Sequence, residues 1–402
     1  MTTLTGESGR FNRLMEPASV SAAVKARVRL ASIDALRGLV MLFMLVDHVR
    51  ETLYLHMQVG DPVDAQTVAP GLFFTRLLST ICAPAFVALT GLSAFLYGQS
   101  HSKYETSIFL LKRGFFLIFL ELTFVGFAWS AQFPPQTFWL QVIWCIGISM
   151  IALAGLLHLP RAWIFALAVV IIAGHNLLDG IHFAPGGVLH AVWAILHERT
   201  VIDLGGGMIA KTTYPVLAWI GVILLGYALG PWFARDMDPS VRMKRLLRAG
   251  IGMLAAFVVL RWLNFYGDKP WFDAGDPLRT FMSFVSMTKY PPSLLFLLPT
   301  LGLSAIFLVV FEKIQETRLV AMIAIFGAAP MFFYLLHLYV LKALYLVALA
   351  IWGPTKGQYF GVDNLSTVWL WVFILVGPLY YVSCWFARLK QRRRDIWWLK
   401  YL

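Results

Sequence analysis

Arg37 and His48 lie in one apolar segment near the start of the chain. Charge within a bilayer-length helix is unfavourable, so such residues are candidates for a functional role. They are 48 − 37 = 11 positions apart, which is about three α-helical turns, so both side chains lie on nearly the same helix face about 16 Å apart. A cation near one end and an imidazole deeper in suit a long anionic cofactor, anchored at Arg37 with its reactive end near His48.

Asp34, Met41 and Met44 lie on the same face, around and between those two residues. We interpret this face as a channel wall: Arg37 and Asp34 form the phosphate end, the methionines line an apolar arm, and His48 is a general base. A histidine with an ordinary pKa of about 6.5 can take a proton near neutral pH. The alternative is an interfacial Asp34–Arg37 ion pair and a histidine at the helix end.

Three more charged residues belong to the predicted catalytic and donor-binding sets. Glu51, about one turn beyond His48, is the expected local partner of that ring and a candidate catalytic residue. Lys112 and Arg113 are candidate second contacts for phosphate. The alternative for this pair is ordinary snorkelling of basic side chains toward the membrane interface.

Glu121 falls near the middle of an apolar segment, where a lone carboxylate needs a partner or a water-filled cavity. Candidate partners are Arg76, Arg261 and His337. A structural salt bridge and a role in substrate binding both fit, and we assign Glu121, Arg76 and His337 to a candidate substrate-binding set. His337 can also be a polar contact within the core.

Metal ions and disulfides are not expected. No cysteine or close carboxylate geometry accompanies the histidines of the segment at 181–212, which are His182, His190 and His197. The three cysteines all lie in apolar segments, which predicts that no structural disulfide forms: Cys82, Cys145 and Cys384.

The composition is that of a polytopic membrane protein. Of 402 residues, 59% are hydrophobic and 13% are charged, whereas a soluble protein carries roughly 25% charged residues. The net charge is +12. In a membrane protein such a charge mostly reflects basic cytoplasmic loops that contact anionic lipid, so we expect the lipid bilayer, and no nucleic acid, as a partner.

Apolar windows predict an all-α membrane helix bundle of about ten spans. An eleventh span, or an interfacial helix, is expected at 317–327. The ten predicted spans are 32–55, 72–98, 107–130, 137–157, 161–180, 213–234, 248–266, 290–311, 328–351 and 366–388.

Most basic residues sort to one side of this arrangement, together with both termini, and that side is cytoplasmic by the positive-inside rule. Residues 1–30 and 391–402 are then basic cytoplasmic tails, and 31–390 is the membrane domain of a protein of the cytoplasmic (inner) membrane. The longer loops, rich in Gly, Pro, His and Asp, fall on the opposite side, where we expect the acceptor to bind. They are 56–71, 181–212, 267–289 and 352–365.

The arginine–histidine spacing resembles a known signature. Arg37, ten intervening residues and His48 resemble the Arg-x10-His motif of transmembrane acyltransferases of the acyltransferase-3 type. The fuller segment Ser32-Ile-Asp-Ala-Leu-Arg-Gly38 resembles the bacterial relatives of heparan-α-glucosaminide N-acetyltransferase. Stretches at 83–91, 214–221 and 326–337 resemble the same group, so the similarity covers about residues 30 to 390.

This resemblance implies an acyltransferase. Its donor would be acyl-CoA, most simply acetyl-CoA, from the cytoplasm, and its acceptor a sugar or cell-envelope glycan on the far side. His48 matches the catalytic histidine of the motif, and Arg37 its arginine. In the lysosomal enzyme the catalytic histidine follows helix 1, which corresponds more nearly to His56. Both assignments stay open, and we favour His48 because it shares a face with Arg37.

Two other classes remain. A transporter, or a lipid or glycan flippase, would share the mid-membrane charges but would not need the Arg37–His48 stripe. A non-catalytic scaffold leaves the buried charges unexplained. N- or O-transfer, a direct or an acyl-histidine route, the acyl length, and a monomer or a homodimer are alternatives that the sequence leaves open.

Overall fold

The computed structural model describes residues 17–55, 63–393, 395, 396 and 399, and among them the side chains from residue 31 onward except those of Leu55 and Gln391. Most of this chain is helical. In chain order the α-helices are α1 (Pro17–Val49), α2 (Pro70–Leu78), α3 (Cys82–Gly98), α4 (Lys103–Leu120), α5 (Gly126–Ser130), α6 (Val142–Leu156), α7 (Arg161–Gly174), α8 (Val188–Leu196), α9 (Leu217–Ala228), α10 (Pro239–Leu263), α11 (Pro277–Val285), α12 (Leu294–Lys313), α13 (Arg318–Ala328), α14 (Pro330–Trp352) and α15 (Leu365–Arg392).

Shorter elements connect these helices. Helix α1 begins at Pro17, within the predicted tail, and continues as a π-helix, and α4 leads into a second π-helix. The π-helices are Arg50–Leu55 and Glu121–Val125; the 3-10 segments are Ser79–Ile81, His175–Leu178 and Gly230–Phe233; the strands are β1 (Thr137–Leu140), β2 (Val201–Gly205) and β3 (Met208–Thr212).

The prediction of a helical membrane bundle is confirmed, but its count of ten or eleven spans is not supported. Within the described residues, six helical stretches are long and apolar enough to span a bilayer. They are Pro70–Gly98, Arg161–Leu178, Pro239–Leu263, Leu294–Lys313, Pro330–Trp352 and Leu365–Lys390.

The other predicted spans lack the length or the apolar composition that a bilayer span needs. Helices α6 and α9 have 15 and 12 residues, less than the roughly 20 that a bilayer needs. Helix α1 is long enough, but Asp34, Arg37 and Asp47 interrupt its apolar sequence. The segment expected at 317–327 is the 11-residue helix α13, which is too short to be an eleventh span.

Helices α1 and α13 approach each other backbone to backbone. A Cβ atom on Gly38 would lie 1.9 Å from the carbonyl oxygen of Ile323, and one on Gly327 would lie 1.9 Å from that of Asp34. Only glycine permits such contact, as in other tightly packed membrane helices. One face of α13 therefore supports the Arg37 segment of α1, while residues on its other side, such as Leu319 and Met322, are exposed.

A small sheet, which the sequence analysis did not predict, lies among the helices. Its order is β1-β3-β2, with β1 parallel and β2 antiparallel to β3. Thr137 to Leu140 was expected to begin a span, but its backbone pairs with Ile209 to Thr212. The ladder brings two distant segments together and places Trp139 beside Lys211.

The loops predicted to lie on the far side meet at one end of the bundle. The Arg279 guanidinium donates to the carbonyl oxygens of Ala65 and Gln66 (2.8 and 2.7 Å). The Val362 amide donates to the carbonyl of Leu53 across 2.7 Å. These bonds join the segment that follows α1, helix α11 and the segment that precedes α15 into one covering over the end of α1.

Candidate active site

A single large cavity contains both ends of the helix face predicted from the sequence. Its volume is about 1170 Å³, and Arg37, Met41, Met44, His48 and Glu51 all line it. Small-molecule sites usually occupy roughly 300–1,000 Å³, so this space is large enough for an extended ligand and a second molecule beside it.

At one end, Arg37 is held in place by two hydrogen bonds. Its Nη1 atom donates to Oδ1 of Asp34 (2.9 Å), and its Nη2 atom donates to Oγ of Ser93 (2.5 Å) on α3. Arg113 and Lys390 line the cavity near it, and the charge of Lys390 interacts with those of Arg113 and Arg37. The cluster provides several N–H donors for an anionic group.

The structure separates the two candidates on α4. Arg113 lines the cavity, whereas the neighbouring Lys112 is exposed and is not among the described residues that line it. Successive helix residues point about 100° apart, so only one of the pair can face inward. The structure therefore places Arg113, and not Lys112, at the cavity, and Asp34 reaches the site through its bond to Arg37.

Between the two ends the cavity wall is largely apolar. Side chains of α1, α3, α4 and α6 contribute, and among them are Met41, Met44, Phe86, Leu117 and Ile146. Methionines fit irregular ligand surfaces because their side chains are flexible and polarizable. The middle section suits an uncharged chain rather than a phosphate.

At the other end, His48 contacts His337 of α14. The Nδ1 atom of His48 lies 2.7 Å from Nε2 of His337, and Nδ1 of His337 lies 2.8 Å from the carbonyl oxygen of Phe333. A carbonyl only accepts, so Nδ1 of His337 carries a proton and Nε2 of the neutral ring accepts. His48 then donates from Nδ1, which leaves the lone pair on its own Nε2.

Aromatic rings surround this histidine pair. The rings of Trp129 and Tyr334 meet His48 edge-on, with centroids 5.2 and 6.1 Å away, and both residues line the cavity. His337 itself is fully buried. It thus lies behind His48 as a positioning residue, which differs from its predicted place in the substrate-binding set.

Glu51 is not the hydrogen-bond partner that the sequence suggested for His48. The helix widens into the π-helix Arg50–Leu55 just after His48, so the i to i+3 alignment of an α-helix does not hold there. Glu51 still lines the cavity, where its charge interacts with those of Arg76 and Lys289.

Arg76 pairs with Asp47, not with Glu121. Its Nη1 atom donates to Oδ2 of Asp47 (2.5 Å) and to Oγ of Ser79 (2.5 Å). Arg50 contacts the other oxygen of the same carboxylate at 2.8 Å. All three charged side chains are buried, and the carboxylate partly compensates the two guanidinium groups. Arg76 and Asp47 also line the cavity next to His48.

Glu121 accepts hydrogen bonds from the backbone of a neighbouring helix, and not from the charged side chains that the sequence suggested as partners. Its Oε2 atom accepts from the backbone N–H groups of Ile143 and Trp144 (2.9 and 3.1 Å) at the start of α6. A carboxylate is favourable there because the first N–H groups of a helix lack partners within it. None of the candidates Arg76, Arg261 and His337 contacts Glu121 in the described part of the chain.

Beyond His48 the lining of the cavity is rich in cations and aromatic rings, and we call this part the chamber. Arg199 and Lys289 lie over the ring of Tyr290, 4.8 and 5.2 Å from its centroid. Lys211 lies 4.9 Å from the ring centroid of Trp139. Burial acts to raise the pKa of Tyr290, but Lys289 and Arg76 outweigh it and hold that pKa below its ordinary value. The chamber therefore favours polar or anionic groups.

The sequence analysis did not identify three residues of the site, and one of its candidates lies outside the described residues. Ser93, Lys289 and Lys390 had no signal that could join them to α1, although Lys390 stands in the basic run that ends α15. His56, the rival catalytic candidate, lies outside the described residues.

Comparison with known proteins agrees with the resemblance. No curated relative matches this chain. Its sequence matches the family described as "Heparan-alpha-glucosaminide N-acetyltransferase, catalytic" over residues 29–267. That range includes Arg37, His48 and Arg113, and it ends before His337 and Lys390. Because the match covers more than half of the 402 residues, the chain belongs to the heparan-alpha-glucosaminide N-acetyltransferase catalytic family.

Proposed function

We propose that this membrane acetyltransferase moves an acetyl group from acetyl-CoA, bound from the cytoplasmic side, to a sugar-type acceptor on the far side. The acceptor would be a sugar or a cell-envelope glycan. One observation carries the proposal: a single cavity connects the cation cluster at Arg37 with the free imidazole nitrogen of His48. A donor bound along it can place its phosphates and its thioester at opposite ends.

Binding of the donor follows from the order of chemical groups along the wall. Arg37, Arg113 and Lys390 would hold the nucleotide phosphates, where charge-assisted hydrogen bonds are strong. The apolar middle of the cavity would hold the pantetheine arm beside Met41 and Met44. The thioester then lies near His48, about 16 Å along the helix from Arg37.

His48 would act as the general base. Its Nε2 atom accepts the proton of the acceptor amine or hydroxyl while the acceptor atom bonds to the thioester carbonyl carbon. The C–S bond then breaks, and the proton on Nε2 passes to the sulfur to give the free thiol. His337 keeps the reacting lone pair on Nε2 by accepting from Nδ1.

The same end of the cavity favours the charge that develops in this step. The positive charges of Lys289 and Arg76 act on His48, so they also favour negative charge on the thioester oxygen beside it. The chamber beyond, with Arg199, Lys211 and Tyr290, would bind the acceptor through stacking and ionic contacts. These contacts suit a sugar that carries negative groups.

Thiol release by the purified protein tests the proposal. In lipid nanodiscs with acetyl-CoA and amino-sugar or envelope-glycan acceptors, we expect thiol release that depends on the acceptor. His48→Ala should lower kcat by at least about 100-fold, since general bases contribute roughly 10²–10⁴-fold, while coenzyme A still binds. His158→Ala, which removes an exposed imidazole, is the matched control.

Two outcomes would change the assignment. Full activity of His48→Ala together with an inactive His56→Ala would transfer the base to His56. Binding of coenzyme A without thiol release for any acceptor would contradict acetyl transfer and favour a transport function for the cavity.

A further inference from the structure

Three side chains with metal-ligand chemistry meet outside the cavity. His175 begins the 3-10 segment after α7, Asp179 directly follows that segment, and His197 follows the end of α8. One candidate ligand atom from each lies within 4.8 Å of the other two. None of the three is among the described residues that line the cavity, so the cluster is separate from the proposed acetyl-transfer site.

The two histidines are buried with unused ring nitrogens. Their exposed fractions are 2% for His175 and 3% for His197. Within the described chain, neither nitrogen of His175 nor Nδ1 of His197 has a hydrogen-bond partner of good geometry, although the backbone of Pro292 interacts with the His175 ring. Buried polar groups are normally satisfied, so these imidazole nitrogens are available as ligands.

The carboxylate of the cluster is already positioned. Oδ1 of Asp179 lies 2.9 Å from Nε2 of His197, and Oδ2 accepts from Nδ2 of Asn176 at 2.9 Å. The Asn176 oxygen in turn accepts from the backbone N–H of Leu294, at the start of α12 (2.9 Å). Outer contacts of this kind commonly orient the ligands of a metal site.

We infer that His175, Asp179 and His197 bind a divalent cation, and that the ion is Zn²⁺. Two imidazoles and a carboxylate, with water in the fourth position, are an established zinc ligand type. Ligand bonds of 2.0–2.2 Å in a tetrahedron place ligand atoms about 3.3 Å apart, so small side-chain shifts suffice. This inference revises the expectation that the chain has no metal site.

The bound ion would cross-link three parts of the fold. It would join the end of α7 to the end of α8, and through Asn176 to the start of α12. Arg199, which lies over Tyr290 in the chamber, follows His197 by two residues. The ion would thus stabilise the wall of the chamber without contact to the reacting groups.

Metal content of the purified full-length protein tests the inference. After incubation with Zn²⁺ and removal of free ion, we expect one zinc per chain by mass spectrometry, and loss of that zinc in His175→Ala and His197→Ala. His190→Ala is the matched control, because His190 is equally buried on α8 but both its nitrogens face carbonyl oxygens at 3.2 Å. It should retain the zinc.

A measurement on the unmodified chain tests the inference without depending on whether the variants fold. A chelator should lower its Tm by about 4 °C, a shift typical of the loss of a bound ligand, and Zn²⁺ but not Mg²⁺ should restore it. Co²⁺ in place of zinc should give the visible absorption of a four-coordinate site. Absence of zinc from the unmodified protein, or its retention in both folded ligand variants, would overturn the inference.

Discussion

Nδ1 of His48 and Nε2 of His337 lie 2.7 Å apart, although 289 residues separate them in the chain. Because Phe333 fixes the proton on the other nitrogen of His337, this contact determines which nitrogen of His48 can act as a base. His337→Ala should therefore lower kcat by roughly 10- to 100-fold, since a buried donor left unsatisfied costs about 1–3 kcal/mol, and KM for the donor should change little. Steady-state thiol release checks both values.

A glutamine at position 337 is the informative companion variant. Its amide oxygen can still accept from His48, so His337→Gln should recover part of the lost kcat. Equal kcat in His337→Ala and the unmodified protein would show that this contact has no role in the reaction.

Arg113 and Lys112 give a matched pair on adjacent positions of one helix. Arg113→Ala should raise KM for acetyl-CoA by about 10- to 100-fold, because a charge-assisted hydrogen bond contributes roughly 1.5–3 kcal/mol. Lys112→Ala should leave KM within about twofold. Calorimetric titration with coenzyme A measures the two affinities directly, and equal losses would place the phosphates elsewhere.

Glu121 should affect stability and not chemistry. Glu121→Ala removes the acceptor for two buried N–H groups at the start of α6, which costs about 1–3 kcal/mol. We expect a lower Tm in detergent and an unchanged kcat for the folded fraction. Glu121→Gln keeps an acceptor oxygen and should lose less. A large fall in kcat at unchanged Tm would restore the predicted role in substrate binding.

The contact between α1 and α13 should tolerate no side chain. A Cβ atom at Gly327 would lie 1.9 Å from the Asp34 carbonyl, whereas one at Gly377 would meet nothing within 4 Å. Gly327→Ala should lower Tm and weaken donor binding, since the backbone next to Arg37 must shift. Gly377→Ala, in an open part of α15, should be neutral or stabilise by about 0.5–1 kcal/mol. Thermal unfolding of the two variants compares them, and equal Tm values would contradict the close packing.

Helix periodicity was enough to predict the face of α1. The spacing of Arg37, Met41, Met44 and His48 needs only a regular helix, and the structure has one as far as Val49. The prediction for Glu51 failed where that regularity ends, because hydropathy does not reveal a π-helix. Glu121 is a similar case. The sequence predicts that it is buried, but its partners could not be predicted because they are backbone N–H groups, which nearly every residue carries.

Contacts between distant segments could not be predicted. The sequence indicated His337 as a buried polar residue without a way to place it against His48, and nothing joined Lys390 to Arg37. The count of spans failed for a related reason. Apolar composition does not distinguish a helix that crosses the bilayer from a shorter apolar one. Helix α6 is short and largely buried, and α13 is short and packs one face against α1.

The apolar middle of the cavity also affects whether ions can leak across the membrane. A cavity with cations at one end and a polar chamber at the other, in a bundle that crosses a bilayer, could pass ions whenever its substrates are absent. The side chains that line this section include Phe86, Leu117 and Met44, and apolar sections of a passage resist wetting and so oppose the passage of ions. The same wall that would hold the donor arm would thus keep the membrane electrically tight between reaction cycles.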